Sequence, residues 1–112
     1  MAEIPSCTTR RTNLPDSIVN DAVAATAFRR LLKHLQHRTD VQNVELMGLG
    51  GFCRNCLSDW IQEADETLTK EQAREIVYGM PYSEWKARHQ TEATPEQLAR
   101  MKESVAKNAG SH

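Results

Sequence analysis

The chain has 112 residues, a length that suits one domain with a single core. Hydrophobic residues make up 39% and charged residues 26%, which is typical of a soluble globular protein rather than a disordered one. Lys and Arg number 14 against 15 Asp and Glu, so no overall field attracts nucleic acid, and no apolar run is long enough to cross a membrane.

The first predicted elements are an irregular lead and a long helix. Residues 1–15 are predicted to be a polar, irregular segment. It ends at Pro15, a residue that is typical of the start of a helix. From residue 18 to 37 the apolar side chains gather on one side at about 100° per residue, as in an α-helix. The same periodicity places His34 and His37 off the apolar face.

Glycines interrupt the middle of the chain and separate two further predicted helices. The first begins after Thr39 or Asp40, either of which can cap it, and ends at the glycines of residues 48–51. The second extends from Phe52 to Asp65. Its apolar residues recur at the spacing of one inward-facing helical stripe.

That stripe predicts how the side chains of the second helix are oriented. Cys53, Cys56 and Trp60 fall on the apolar side, so both sulfur atoms should pack beside the indole. Arg54 and Asn55 should then point away from the core.

Helix signals are clear in the last third of the chain. Thr69 with Gln72 and Thr94 with Gln97 have the spacing of capping boxes, which predicts a helix after each threonine. A short helix that holds Trp85 is expected between these two.

The overall pattern predicts an all-α fold. No segment combines alternating apolar and polar residues, as in a strand, with the turn residues of a β-hairpin. We therefore expect a compact bundle of about five short-to-medium helices. They should form a single helical domain over residues 16–108, followed by a frayed tail at 109–112.

The Cys-x2-Cys pair, Cys53 and Cys56, is open to three interpretations. A zinc site needs four ligands, and the other two would be His34 and His37, which the periodicity places on another face. A thiol-redox pair would gain from the helix dipole and from Arg54, but burial and the lack of a preceding strand disfavour it. Packing as small hydrophobic residues needs no chemistry, and we favour it.

The sequence favours a binding protein over an enzyme. It contains no phosphate-binding loop, nucleophile elbow or metalloprotease histidine pair. A polar cluster near the glycines supplies the candidate contact residues: Asp40, Gln42, Asn43, Arg54 and Asn55. Aromatic residues are only 5% of the chain, so burying more apolar surface in a homodimer is expected.

We therefore expect an interaction module that self-associates and binds another, unidentified protein, without membrane or nucleic-acid partners. The alternative is a metal-binding or thiol-redox protein that uses Cys53 and Cys56. No cofactor is expected, with zinc as the alternative. The polar N-terminus lacks the apolar centre of a signal peptide, which predicts a cytoplasmic location.

Two runs, "HRTDVQNVELMGLGGFCRNCLSDW" and "EIVYGMPYSEW", resemble the small bacterial proteins grouped as domain of unknown function 1244. The resemblance covers most of residues 26–98. It implies a stand-alone, compact, all-helical protein with no established activity. The family pattern contains the cysteine pair and all five polar candidates, and it includes a histidine at His34 but requires none at His37.

Overall fold

The computed structural model describes residues 18–109, which form six α-helices and no strand. The helices in chain order are α1 (Asp21–His37), α2 (Asn43–Gly50), α3 (Arg54–Ala64), α4 (Lys70–Tyr78), α5 (Tyr82–His89) and α6 (Pro95–Ala106). The predicted all-α class is confirmed, with six helices in the described residues instead of about five. Within the same residues, no helix is both long and apolar enough to cross a membrane.

Some predictions fall outside the described residues or are not tested by them. The irregular lead at 1–15 lies outside, as does most of the frayed tail at 109–112. The chain divides into two units between Leu31 and Leu32, inside α1. A single helical domain over 16–108 stays a prediction.

Residues 18–31, the described part of the first unit, carry the first turns of α1. The helix starts after Asn20, whose Oδ1 accepts a hydrogen bond from the backbone N–H of Ala22 at 2.8 Å. Almost all side chains here are exposed, including 57% of Ile18, 47% of Val19 and 60% of Val23. This segment therefore presents an apolar surface to solvent.

The second unit, from Leu32 onward, contains the buried core. In it α6 packs along α2, α3 packs against α4, and α4 contacts α5. Trp85 is 1% exposed and is among the largest fully buried side chains. The other buried hydrophobic residues are Leu32, Leu35, Cys53, Leu57, Ala73, Val77 and Tyr78.

Both predicted capping boxes are confirmed. The hydroxyl oxygens of Thr69 and Thr94 each accept a hydrogen bond at 3.1 Å, from the backbone N–H of Gln72 and of Gln97. The two glutamine side chains accept the return hydrogen bond from the threonine N–H at 2.9 Å. Local chemistry alone therefore fixes where α4 and α6 begin.

Gly51 ends α2 and brings the end of α6 close to it. Its φ of 76° lies in the left-handed region, which glycine adopts without strain. A Cβ atom at this position would lie 2.7 Å from the Oδ1 atom of Asn108. The Nδ2 atom of Asn108 donates to the Gly51 carbonyl at 2.8 Å, so the α2–α3 corner is fastened to the C-terminal end of α6.

The orientation predicted for α3 is partly wrong. Arg54 and Ser58 face the interior, each 1% exposed, whereas Trp60 is 40% exposed and stacks on Phe52. Cys53 is buried as predicted, but Cys56 is only half-buried. The inward face is thus rotated from the predicted stripe, because the interior offers hydrogen-bond acceptors that hold Arg54.

Candidate functional site

Arg54 is a buried cation that makes no ion pair with any carboxylate of residues 18–109. Its Nη1 atom donates to the carbonyl of Val41 at 2.9 Å, and Nη2 donates to the carbonyl of Arg38 at 2.8 Å. The guanidinium carbon lies 4.9 Å from the ring centre of Trp85, within cation–π distance. Burial lowers the pKa of Arg54 from its ordinary value.

The Arg38 carbonyl that binds Arg54 lies directly after the end of α1, and the Val41 carbonyl lies between α1 and α2. Nη2 also reaches the carbonyl of Leu35, in the last turn of α1, at 3.5 Å. The last carbonyls of a helix lack an intrahelical donor and carry partial negative charge. Arg54 supplies hydrogen-bond donors and an opposite charge there, so it joins the end of α1 to the start of α3.

A chain of hydrogen bonds continues from this arginine through two asparagines and a tyrosine. Asn43 Oδ1 accepts from Arg54 Nη1 at 3.0 Å, and Asn43 Nδ2 donates to the Tyr78 hydroxyl at 3.0 Å. The Tyr78 hydroxyl donates to Asn55 Oδ1 at 2.7 Å. Burial raises the pKa of Tyr78 to about 12.

The direction of each hydrogen bond in this chain follows from Arg54, which can only donate. Asn43 must therefore turn its oxygen to Arg54 and its amino group to Tyr78. The single phenolic proton then goes to Asn55, which must accept it with its oxygen. The amino group of Asn55 makes no hydrogen bond to any described residue, so it is left for a ligand or water.

Both asparagines line a cleft of about 310 Å³. Tyr82 and the segment 90–93, between α5 and α6, supply much of the remaining wall. The full lining is Gln42, Asn43, Val44, Asn55, Tyr82, Gln90, Thr91, Glu92 and Ala93. Amide groups and main chain dominate it, and Glu92 is its one charged member among the described residues.

The segment 90–93 has no regular secondary structure, and the backbone is extended at both of its ends. Gln90, at its start, has φ −77° and ψ 129°, and Thr94, directly after it, has φ −79° and ψ 161°. The residue before a proline is restricted to extended conformations, which applies to Thr94 before Pro95. The chain therefore enters and leaves this short stretch in the conformation of a strand.

The side chain of Gln42 holds the start of that segment in place. Its Nε2 atom donates to the carbonyl of His89 at 2.9 Å, and its Oε1 atom accepts from the N–H of Thr91 at 3.0 Å. The next two backbone N–H groups, of Glu92 and Ala93, make no hydrogen bond to any described residue. Two main-chain donors are thus available beside the cleft.

The structure brings together three of the five predicted contact residues. Gln42, Asn43 and Asn55 line the cleft, whereas Arg54 lies buried and holds Asn43 in position. Asp40 is exposed and pairs with Arg38 at 2.9 Å, away from the cleft. That hydrogen bond lowers the pKa of Asp40 to about 2.

The four residues of the predicted zinc cage do not come together. His34 and His37 are exposed on α1, and residues 18–109 contain no group of three or more His, Cys, Asp or Glu side chains placed to hold a metal ion. Burial raises the pKa of Cys53, and this increase is partly offset by the backbone N–H groups of Cys56 and Asn55, which lower the pKa. Thiol-redox chemistry stays a prediction.

Sequence reasoning missed the aromatic residues behind the asparagines. The rings of Tyr78 and Tyr82 lie 5.0 Å apart, as do those of Tyr78 and Trp85, and Trp85 lies 5.5 Å from His89. The signal available in the sequence was the spacing of three and four residues among Tyr78, Tyr82, Trp85 and His89.

Comparison with known proteins gives one family match. The family model described as "Protein of unknown function (DUF1244)" matches residues 41–103, more than half of the chain. The matched span includes the whole cleft and both Cys53 and Cys56, and it leaves out Asp40, His34 and His37. The comparison with curated proteins finds no match.

Proposed function

The chain belongs to the DUF1244 family, and we propose that it is a binding module whose cleft takes an extended segment of a partner polypeptide. One observation supports this above the others. The segment 90–93 lines the same cleft as the side-chain amides of Asn43 and Asn55, and the N–H groups of Glu92 and Ala93 in it make no hydrogen bond to any described residue.

The chemistry of the two walls matches that of a peptide backbone. An extended peptide can pair with an unpartnered strand through main-chain hydrogen bonds, a recurring mode of peptide recognition. The free amino group of Asn55 can donate to a peptide carbonyl, and the N–H groups of Glu92 and Ala93 can donate to others. Tyr82 adds an aromatic surface for one side chain.

The size and charge of the cleft limit the ligand. Its volume of about 310 Å³ is at the lower end of the range of roughly 300–1,000 Å³ for small-ligand sites, so it suits a short segment. The carboxylate of Glu92 disfavours an acidic ligand. A neutral or weakly basic segment of a few residues fits best.

The test is an NMR titration of the ¹⁵N-labelled protein with peptides selected from a random displayed library. We expect the side-chain amides of Asn43 and Asn55 and the backbone amides of Glu92 and Ala93 to shift together. Shifts confined to other surfaces would contradict the proposal.

An Asn55→Asp variant sharpens this test. Aspartate keeps an oxygen that accepts from Tyr78 but replaces the free amino group, so peptide affinity should fall by about tenfold or more. Asp59→Asn, on the exposed side of the same helix, is the matched control and should bind as the wild type does. Equal affinity of the Asn55→Asp variant and the wild type would refute the assignment.

We also propose that the chain forms a homodimer through the first turns of α1. Val23, Ala27 and Leu31 recur at intervals of four residues in α1, so these exposed side chains share one face. A second copy carries the same stripe, which allows a two-fold symmetric contact, and the small Ala27 permits close approach.

A second copy is a better occupant of this face than residues 1–17. Those residues offer only Met1, Ile4 and Leu14 as large apolar side chains. One helix pair buries less than the roughly 800 Å² per partner of a standard interface, so the dimer should be weak and concentration-dependent.

Sedimentation velocity over a range of concentrations tests the dimer. The Val23→Glu variant should be a monomer at every concentration. Ile76→Glu is a control at a comparably exposed position on α4, and this variant should sediment as the wild type does. A wild-type protein that stays monomeric throughout would refute the proposal.

A further inference from the structure

Three sulfur-containing residues, Met47, Cys53 and Cys56, lie at the corner between α2 and α3. Cys56 Sγ, in the first turn of α3, lies 3.9 Å from Sδ of Met47, in the last turns of α2. Cys53 is the residue directly before α3, three positions before Cys56, so both thiols belong to the start of the same helix. Both cysteines are free.

We propose that Met47, Cys53 and Cys56 form a binding site for one Cu(I) ion. Thiolate and thioether are soft ligands, and Cu(I) is one of the ions that such ligands select. The site is separate from the polar cleft and does not depend on its proposed function.

The sulfur separation agrees with this coordination. Metal–thiolate bonds are about 2.3 Å long, as at zinc, so sulfur atoms at the corners of a trigonal site lie about 4 Å apart. The distance of 3.9 Å between Cys56 and Met47 therefore fits an ion bound to both. Zinc prefers four ligands, and in the described part of the chain no His, Asp or Glu joins the two cysteines to make a group of three.

Protons and charge balance in the binding step. Cu(I) forms bonds to the sulfur atoms of Cys53 and Cys56, and each thiol releases its proton to solvent. Met47 donates a lone pair and loses nothing, so the occupied site has a net charge of −1. Arg54, whose charge interacts with Cys53, and the positive end of the α3 dipole both offset that charge.

Burial differs among the three ligands in a way that suits metal entry. Cys53 is 8% exposed, whereas Cys56 and Met47 are half-buried. An ion can reach Cys56 and Met47 from solvent and then engage Cys53, which shields it from water on the inner side.

The experiment is an anaerobic titration with Cu(I) supplied as its bicinchoninate complex, in a Cys7→Ser background. That background leaves Cys53 and Cys56 as the two thiols of the chain. We expect the protein to remove one Cu(I) per chain from the chelator, with loss of the absorbance of the complex. X-ray absorption should then show three sulfur ligands at about 2.3 Å.

Two substitutions distinguish the proposed site from a simple dithiol. Cys53→Ser should abolish binding, and because serine is a good N-cap residue it should leave α3 folded by circular dichroism. Met47→Leu conserves volume and should weaken binding by about tenfold, equivalent to 1.4 kcal/mol, whereas Met80→Leu should not. Copper left entirely on the chelator, or equal affinity in the Met47→Leu variant, would overturn the proposal.

Discussion

Replacing Arg54 with methionine should lower the free energy of unfolding by about 3 kcal/mol. The estimate comes from the three close hydrogen bonds that the guanidinium donates, to the carbonyls of Val41 and Arg38 and to the Oδ1 atom of Asn43. Each of these hydrogen bonds contributes about 1 kcal/mol net to stability. Methionine keeps most of the side-chain volume, so this substitution isolates the hydrogen bonds from packing.

Urea unfolding followed by tryptophan fluorescence measures this loss. A change of about 3 kcal/mol lowers the transition midpoint by roughly 1–3 M urea if the slope is unchanged. Arg88→Met is the control, since Arg88 is exposed and pairs with Glu84 four residues earlier, a contact worth less than about 1 kcal/mol. If Arg54→Met costs no more than the control, Arg54 does not fasten α1 to α3.

Three further predictions address the network, the corner and the cleft wall. Tyr78→Phe should lower the free energy of unfolding by about 1–2 kcal/mol at neutral pH. In urea titrations, this difference between the wild type and the variant should disappear between pH 10 and 12. The raised pKa of Tyr78 adds stability that is complete below pH 10 and is lost as the pH rises through about 12. Gly51→Ala should lower the thermal midpoint by at least about 4 °C, because its φ is positive and its Cβ would meet Asn108; an unchanged midpoint would contradict this contact. Gln42→Ala should accelerate hydrogen exchange at the Thr91 amide, and an unaltered rate would mean that another group holds the segment.

Helix starts were predictable from sequence where their chemistry is local. The threonine and glutamine of a capping box are three residues apart, so Thr69 and Thr94 identify the starts of α4 and α6 without knowledge of the fold. The sequence predicts a start of α1 near residue 18, and the helix begins at Asp21, directly after the capping residue Asn20.

The orientation of α3 was not predictable from hydrophobic periodicity. Hydrophobic periodicity predicts that a charged residue such as Arg54 faces solvent, and no neighbouring residue in the sequence indicates otherwise. Arg54 turns inward because carbonyls at Leu35, Arg38 and Val41, 13 to 19 residues earlier, converge on it. Trp60 is exposed as a result of the same rotation.

The cleft was predictable in part. Gln42, Asn43 and Asn55 stood out as polar residues near the glycines, and the structure places all three in its lining. The opposite wall, residues 90–93, comes from far along the chain and has no distinctive composition. Only the fold shows that Gln42 holds it there.

The way Arg54 is bound makes the joint between α1 and α3 resistant to acid. Ion pairs such as Arg38 with Asp40 dissolve once the carboxylate is protonated, but carbonyl oxygens take up no proton over the same range. The oxygen atoms around Arg54 belong to carbonyl and amide groups, so acidification removes none of its partners. In acid, this joint should therefore outlast the carboxylate pairs at the surface of the protein.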